Sequence, residues 1–314
     1  MTRGVPQGSV LGPTLYSLYS SPLEEIIESH GIKCVVYADD TQLYSVFKKD
    51  DSRTVIPNLE LCLNVIRDWS LANDLKLNVE KTEFLHLSSR FRKKFVLPPI
   101  TFNDAPLSPS QNVRNLGVLF DDRLTMQDHI SKMCQLSSYA LHRIGKIRNY
   151  LDKNATKKLV HAFVISRLDN CNSLLYGLPD SLLSKVQRIQ NSAARIITRR
   201  KLHEHISPIL ENLHWLPVKQ RIVFKLMVIA FKCHHGIAPQ YLQDIVQVYQ
   251  PVRSLRSSST TLFTPCFSNT RGYGDRSFQC AIPKIWNSLP KHLRECNSFD
   301  KFKVGLKTHL FNVD

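Results

Sequence analysis

Near residue 125 the apolar residues of this chain change their period. Upstream, short apolar runs are punctuated by Gly, Pro, Asn and Asp, the pattern of strands, turns and brief helices. Downstream, apolar residues recur every three or four positions over long stretches, the spacing of helices that bury one face. The fold class expected is therefore α+β, with a mixed segment to about residue 125 followed by an all-helical region and a helical tail. At 314 residues and 43% apolar, the chain is long enough for one large or two ordinary domains with a buried core.

In the mixed segment, "RGVPQGSVLGP" places three glycines and two prolines in eleven residues and reads as a loop. Pro13 can start a short helix, since its missing N–H costs nothing in a first turn. Ser21-Pro22-Leu23-Glu24 reads as a capping box that launches a helix ended by Gly31. Cys34–Tyr37 and Leu43–Phe47 read as strands flanking Asp39-Asp40, a β-hairpin. Residues 57–72 place Leu59, Leu63, Ile66 and Trp69 at helical spacing. "LKLNVEKTEFLHLSS" reads as a turn and a strand, and "VRNLGVLFDD" as a strand near 113–120.

Beyond residue 125, Ile130, Met133, Leu141, Ile144 and Leu151 mark one side of a long helix. Asn154 is the expected N-cap of a second helix, 155–176, carrying Leu159, Phe163, Leu168 and Leu175. Asp180 is the expected cap of a third, with Leu183, Val186, Ile189, Ala193 and Ile197, and Pro217 opens a fourth that ends near His235. Residues 251–275 read as an exposed linker, and 299–311 as a last helix with Phe299, Phe302, Leu306 and Leu310 inward.

The charge is uneven. Residues 1–125 carry 14 Lys+Arg against 15 Asp+Glu, and residues 126–314 carry 28 against 11. Such an excess points to a polyanion held by the second part. Arg199-Arg200-Lys201 is its densest run, although a charge run is also an ordinary solvated face. The eight cysteines include no CxxC pair, and Cys233-His234-His235 lacks the second spaced pair of a zinc site. It reads instead as a helix end stopped by Gly236. No apolar run approaches the ~18–20 residues of a membrane span, so an intracellular protein without a membrane partner is expected.

Asp39-Asp40 is the sharpest local question. Adjacent side chains on a strand point to opposite faces, so two neighbouring carboxylates converge only where the strand bends. Aspartate is an ordinary turn residue, and a hairpin turn without chemistry is one reading. The other is that divalent cations relieve the repulsion, since carboxylates bind Mg²⁺ and paired ions stabilise both oxygens of a phosphoryl displacement.

The order of "RGVPQGSVLGP", "YADD", "LKLNVEKTEF" and "NLGVLFDD" resembles the ordered motifs of reverse transcriptases, most closely those of LINE-type, jockey-like non-LTR retrotransposons. The resemblance continues through "SRLDNCNSLLYGLP", "KVQRIQNSAARII", "LHWLPVKQRIVFK" and "IWNSLPKHLR", nearly to the end of the chain. It implies a partial palm at 1–125, a basic thumb-like region at 126–240 and a linker with a C-terminal segment at 241–314. Asp39 and Asp40 would bind Mg²⁺ or Mn²⁺, while Pro6, Gln7, Gly8 and Tyr37 would line the nucleotide and template. Lys81 would assist the pyrophosphate leaving group. Leu116 and Gly117 would form the primer grip, and Arg199, Arg200 and Lys201 would hold nucleic acid. The implied partners are an RNA template, a DNA primer and dNTPs, met in cytoplasm and nucleus. No residue here matches the family's further palm aspartate, which lies ahead of Pro-Gln-Gly, so the resemblance implies a C-terminal portion with an incomplete site. A nucleic-acid-binding remnant, or the product of a pseudogene, is the alternative.

Overall fold

A computed structural model describes residues 4–6, 8–89, 95–249, 261–270 and 272–313. The chain is mixed α+β, mostly helical with small sheets, and divides into two compact units, Met1–Val113 and Arg114–Asp314.

The first unit opens with α1 (Gly12–Ser20) and α2 (Pro22–Ser29), then the hairpin β1 (Lys33–Tyr37) and β2 (Asp40–Tyr44). Pro13 sits in the first turn of α1, as its missing N–H favours. The expected capping box at Ser21 does not form. Ser21 is itself helical (φ −57°, ψ −34°), and its hydroxyl donates to Leu18 O at 2.9 Å, so α2 follows α1 with no extended residue to serve as a cap. Gly31 ends the run with φ +69°. α3 (Ser52–Ala72) begins a turn and a half before the expected start and carries Pro57 inside. Burial of Ile56 against Leu97 and Ile100 stabilises that early turn.

Short strands complete the unit: β3 (Phe84–Leu85) pairs in parallel with β6 (Pro109–Ser110), and β4 (Ile100–Phe102) pairs antiparallel with β5 (Ala105–Leu107). The β4–β5 turn was not anticipated. Asn103 (φ +51°) and Asp104 (φ +60°) supply the two left-handed residues that a tight hairpin needs. Two cores form, one of Leu23, Ile27, Ile32, Cys62 and Ile66 beneath the β1–β2 hairpin, the other around Ile56, Leu97 and Ile100.

β7 (Asn112–Asn115) leads to β8 (Val118–Asp121), so the expected single strand at 113–120 is a hairpin turned at Leu116-Gly117. The helical unit follows with α4 (Gln127–Ile147), α5 (Lys153–Val160), α6 (Ser166–Asp169), α7 (Asp180–Thr198), α8 (Ser207–Asn212), α9 (Val218–His234), α10 (Gln240–Ile245), α11 (Phe278–Ser288), α12 (Lys291–Arg294) and α13 (Phe299–Phe311). The expected helix 155–176 is broken up. Its cap is Asp152, whose side chain accepts from Ala155 N at 2.6 Å, and Asn154 lies within the helix. A π-helical segment, His161–Ile165, then shifts the buried face, so Val160, Val164, Ile165 and Leu168 go inward while Phe163 stays exposed.

Asp180 is the first residue of α7 rather than its cap, and its carboxylate pairs with Lys219 at 2.7 Å. Leu151 falls just past α4 and its one-turn extension. α9 is apolar almost all round because it is the centre of the unit, packed by α7, α10, α11 and α13. Phe231 on α9 stacks on Phe302 of α13 at 4.5 Å, and Trp286 lies 5.8 Å from the same ring. Polar clamps fix the helices further. Gln187 and Gln190 of α7 accept from Val218 N and donate to Leu216 O, and Arg221 pairs with Asp169 at 2.7 Å.

Residues 251–260 and 271 of the expected linker lie outside the described residues. In its later part Phe263 departs from the expected exposure, buried among core residues and bonded to Asn287, while Thr264, Pro265 and Phe267 are exposed. Cys233-His234-His235 forms the end of α9, followed by Gly236 at φ +67°.

Candidate active site

Register places the two aspartates differently. Tyr37 pairs with Asp40 across β1 and β2, leaving Ala38 and Asp39 as a two-residue turn. Ala38 adopts φ +53°, a conformation costing an ordinary residue ~1 kcal/mol, so the turn is held by its surroundings. Cys34 and Leu43 of the hairpin pack inward on the core beneath it. The opposite face carries Val35, Tyr37 and Asp40, all exposed. Asp40 therefore stands on the open face of the hairpin, and Asp39 at its tip.

The tip opens on a cleft of about 320 Å³ lined by Gly12, Pro13, Tyr16, Ala38 and Asp39. Burial, and secondarily the charge of Asp39, raises the pKa of the Tyr16 phenol above its usual value. The first turn of α1 faces the turn of the hairpin, and the positive end of a helix is a favourable neighbour for a carboxylate. Gly12 packs closely there: an added Cβ would come within 2.9 Å of Ser9 Oγ, so the serine hydroxyl would have to turn away. The preceding loop turns tightly: Ser9 N donates to Pro6 O at 3.1 Å, with Gly8 at φ +84°. Pro6 and Gly8 are exposed and do not line the cleft, and Gln7 lies outside the described residues. Gly12 and Pro13 belong to the glycine-rich loop and helix start read in the sequence but were not assigned to a site there, and Tyr16 was not singled out at all. Their signal was position, since "GPTLY" continues directly from the glycine-rich loop into helical spacing.

Lys81 is exposed at the end of a one-turn 3₁₀ segment, its backbone N–H held by Asn78 Oδ1 at 3.2 Å, and it does not line the cleft. Leu116 (φ +44°) and Gly117 (φ +84°) make the β7–β8 turn with Leu116 exposed.

The basic run is part of a structural knot. Arg199 ends α7 in a left-handed conformation and donates to Arg148 O at 3.3 Å. Arg200 pairs with Glu204 at 3.0 Å, and Lys201 N donates to Glu204 Oε1 at 2.8 Å. The hydrogen bond from Lys201 N, helped by Arg200, holds the Glu204 carboxyl below its usual range despite opposing desolvation. A second basic feature lies on α4. Lys132, Tyr139, Arg143 and Lys146 recur at helical spacing on its exposed side, opposite buried Ile130, Met133, Leu141 and Ile144. Arg143 lies 5.8 Å from the Tyr139 ring, and Tyr150, also exposed, follows just beyond the helix.

Residues 1–120 match the reverse transcriptase (RNA-dependent DNA polymerase) family. The chain is 31% identical over 208 residues to the RNA-directed DNA polymerase from mobile element jockey of Drosophila melanogaster, which covers 63% of this chain and 22% of that protein. That alignment is longer than the family match, so it takes in residues of the helical unit. The probable RNA-directed DNA polymerase from transposon BS of Drosophila melanogaster is 26% identical over 212 residues, covering 63% of this chain and 22% of that protein. The retrovirus-related Pol polyprotein from type-1 retrotransposable element R1 of Bradysia coprophila is 24% identical over 232 residues, 68% of this chain and 22% of that protein. The chain thus spans 22% of the length of each of these relatives. No solved structure matches it.

Proposed function

Because residues 1–120 belong to the reverse transcriptase family, related to the enzymes of non-LTR retrotransposons, we propose that the chain is a portion of an RNA-directed DNA polymerase and that the Asp39-Asp40 turn belongs to its metal centre. The observation that carries this reading is the hairpin tip: Asp39 borders an open cleft beside the first turn of α1, within the segment that matches the family.

Two exposed carboxylates suit Mg²⁺ or Mn²⁺, which take oxygen ligands and keep several waters. Among the described residues no group of three or more His, Cys, Asp or Glu could hold an ion, so these two alone would leave it largely hydrated. When bound, the ions supply charge stabilisation to the attacking and leaving oxygens of nucleotidyl transfer. The chain's own residues have separate tasks in this reading. Asp39 and Asp40 bind and orient, with Asp39 at the tip the more committed ligand. Tyr37, on the face of Asp40, and the Pro6-Gln7-Gly8 loop offer ring and backbone to the incoming nucleotide and template. Lys81 holds a proton for the pyrophosphate leaving group. Leu116 and Gly117 steady the primer end, and the basic helical unit, with Arg199, Arg200, Lys201 and the α4 stripe, holds the template–primer backbone.

A Mn²⁺ titration followed by electron paramagnetic resonance tests the metal assignment without requiring activity. Weak binding is expected as a loss of the free Mn²⁺ signal, the amide signals of Ala38 and Asp39 should broaden in nuclear magnetic resonance spectra of the same titration, and Asp39→Asn should weaken binding at least several-fold. Equal binding by Asp39→Asn would leave Asp39-Asp40 as a turn without chemistry.

A further inference from the structure

The segment 261–267 runs along α11 in the opposite direction and is fastened at several points. Trp286 Nε1 and Arg294 Nη1 donate to Thr261 O at 3.2 and 3.3 Å. The Asn287 amide accepts from Phe263 N and donates to Phe263 O, each at 2.9 Å, and so replaces a neighbouring strand. Towards the other end the thiols of Cys266 and Cys280 lie 2.9 Å apart. The spacing explains the meeting. Cys280 to Asn287 spans ~10 Å at helical rise, and Phe263 to Cys266 spans the same ~10 Å when extended. The thiols are thus brought together by the register of the whole segment.

We propose that Cys266 and Cys280 are an oxidative modification site, at which a peroxide converts the two thiols into a disulfide that staples segment 261–267 to α11. Cys266 is half-buried and Cys280 is buried, so peroxide reaches Cys266 first. Its thiolate attacks one peroxide oxygen, the O–O bond breaks, and hydroxide leaves as water after taking a proton, giving a sulfenic acid. The Cys280 sulfur then attacks the Cys266 sulfur, the S–O bond breaks, and a second water leaves as the disulfide forms. Two thiols and one hydrogen peroxide become one disulfide and two waters. The sulfurs need approach by under ~1 Å to reach bonding distance. The hydrogen bond to Cys280, and then burial, raises the Cys266 pKa, so the first step quickens as pH rises. The site is independent of the polymerase reading.

The test treats the reduced whole chain with hydrogen peroxide at mildly alkaline pH, alkylates what remains, and maps the peptides by mass. A cross-link between the Cys266 and Cys280 peptides, reversed by dithiothreitol, is expected, with loss of two thiols. The oxidised chain should melt several degrees higher, because the bond closes a short loop in the unfolded state. Cys280→Ala should instead leave a sulfenic acid at Cys266 that dimedone captures, and Cys266→Ser should leave Cys280 open to alkylation without any cross-link. Sulfinic acid at Cys266 with Cys280 still alkylated, or cross-links that bypass both, would overturn the proposal.

Discussion

Two aspartate pairs stand at the ends of short strands, and their surroundings set them apart. Asp121, at the end of β8, is buried and accepts bonds from the backbone N–H groups of Arg123, Thr125 and Met126, so it builds the entrance to α4. Asp39 and Asp40 are exposed at a turn beside a cleft. Sequence alone makes "YADD" and "LFDD" look alike, because it does not tell which carboxylate will be consumed by nearby N–H groups. The cap of α5 is misplaced for a related reason: Asn154 is expected from sequence, and the path of the chain instead puts Asp152 where its side chain accepts from Ala155 N.

Histidines carry a prediction at this scale. Burial lowers the pKa of His129, whose Nδ1 accepts from Leu119 N at 3.3 Å. Burial, with Lys157 and Arg221 against the opposing Asp169, lowers His161, and burial with His235 lowers His234. Each lowered value means that the folded chain binds fewer protons than the unfolded one. Their contribution to stability is therefore complete above the ordinary histidine value of about 6.5 and is lost as pH falls through it towards the folded values. Thermal melts should show Tm nearly level from pH 7.5 to about pH 7 and falling from there to pH 5. A Tm that is flat or rises across that range would contradict the assignment.

At the scale of elements, α9 and α13 are legible because their signals are local. Pro217 and Gly236 bracket one, and Ser298 with Phe302, Leu306 and Leu310 defines the other. The π segment at 161–165 is not legible. Leu159 and Phe163 keep a helical spacing, but one extra residue in the turn rotates the next ones, and packing chooses Val160 and Val164. α8, α10, α11 and α12 were also missed, each too short or too interrupted by proline for periodicity to reveal.

The stripe on α4 carries the element-scale prediction. Arg199 and Arg200 are partly occupied in holding the end of α7, whereas Lys132, Arg143 and Lys146 stand on an exposed face with Tyr139. Affinity for duplex nucleic acid should fall by about 0.9 log units per log unit of salt for each phosphate contacted. Changing Lys132, Arg143 and Lys146 together to Ala should weaken binding and flatten that slope by up to about 3. Filter binding across salt concentrations reads both. An unchanged slope would move the nucleic-acid surface elsewhere in the unit.

At the scale of the whole molecule, the chain joins a nearly neutral mixed unit to a basic helical one. That division is visible in charge and periodicity before any contact is known, since both are sums over many residues. The finer placement is not, because the cleft depends on the meeting of α1 with a turn more than twenty residues later. Among the described residues β1 and β2 pair only with each other, so further strands could join this hairpin's edge. The relatives are several times longer than this chain, which makes reconstitution the decisive test. An upstream segment from a related element, fused ahead of Thr2, should yield extension of a labelled DNA primer on an RNA template, dependent on Mg²⁺ or Mn²⁺. Lys81→Ala should slow it, by about 10²-fold if Lys81 is the general acid. Asp39→Asn should abolish extension while template–primer binding persists. Extension by Asp39→Asn equal to that of its parent would contradict the assignment of this turn to the metal centre.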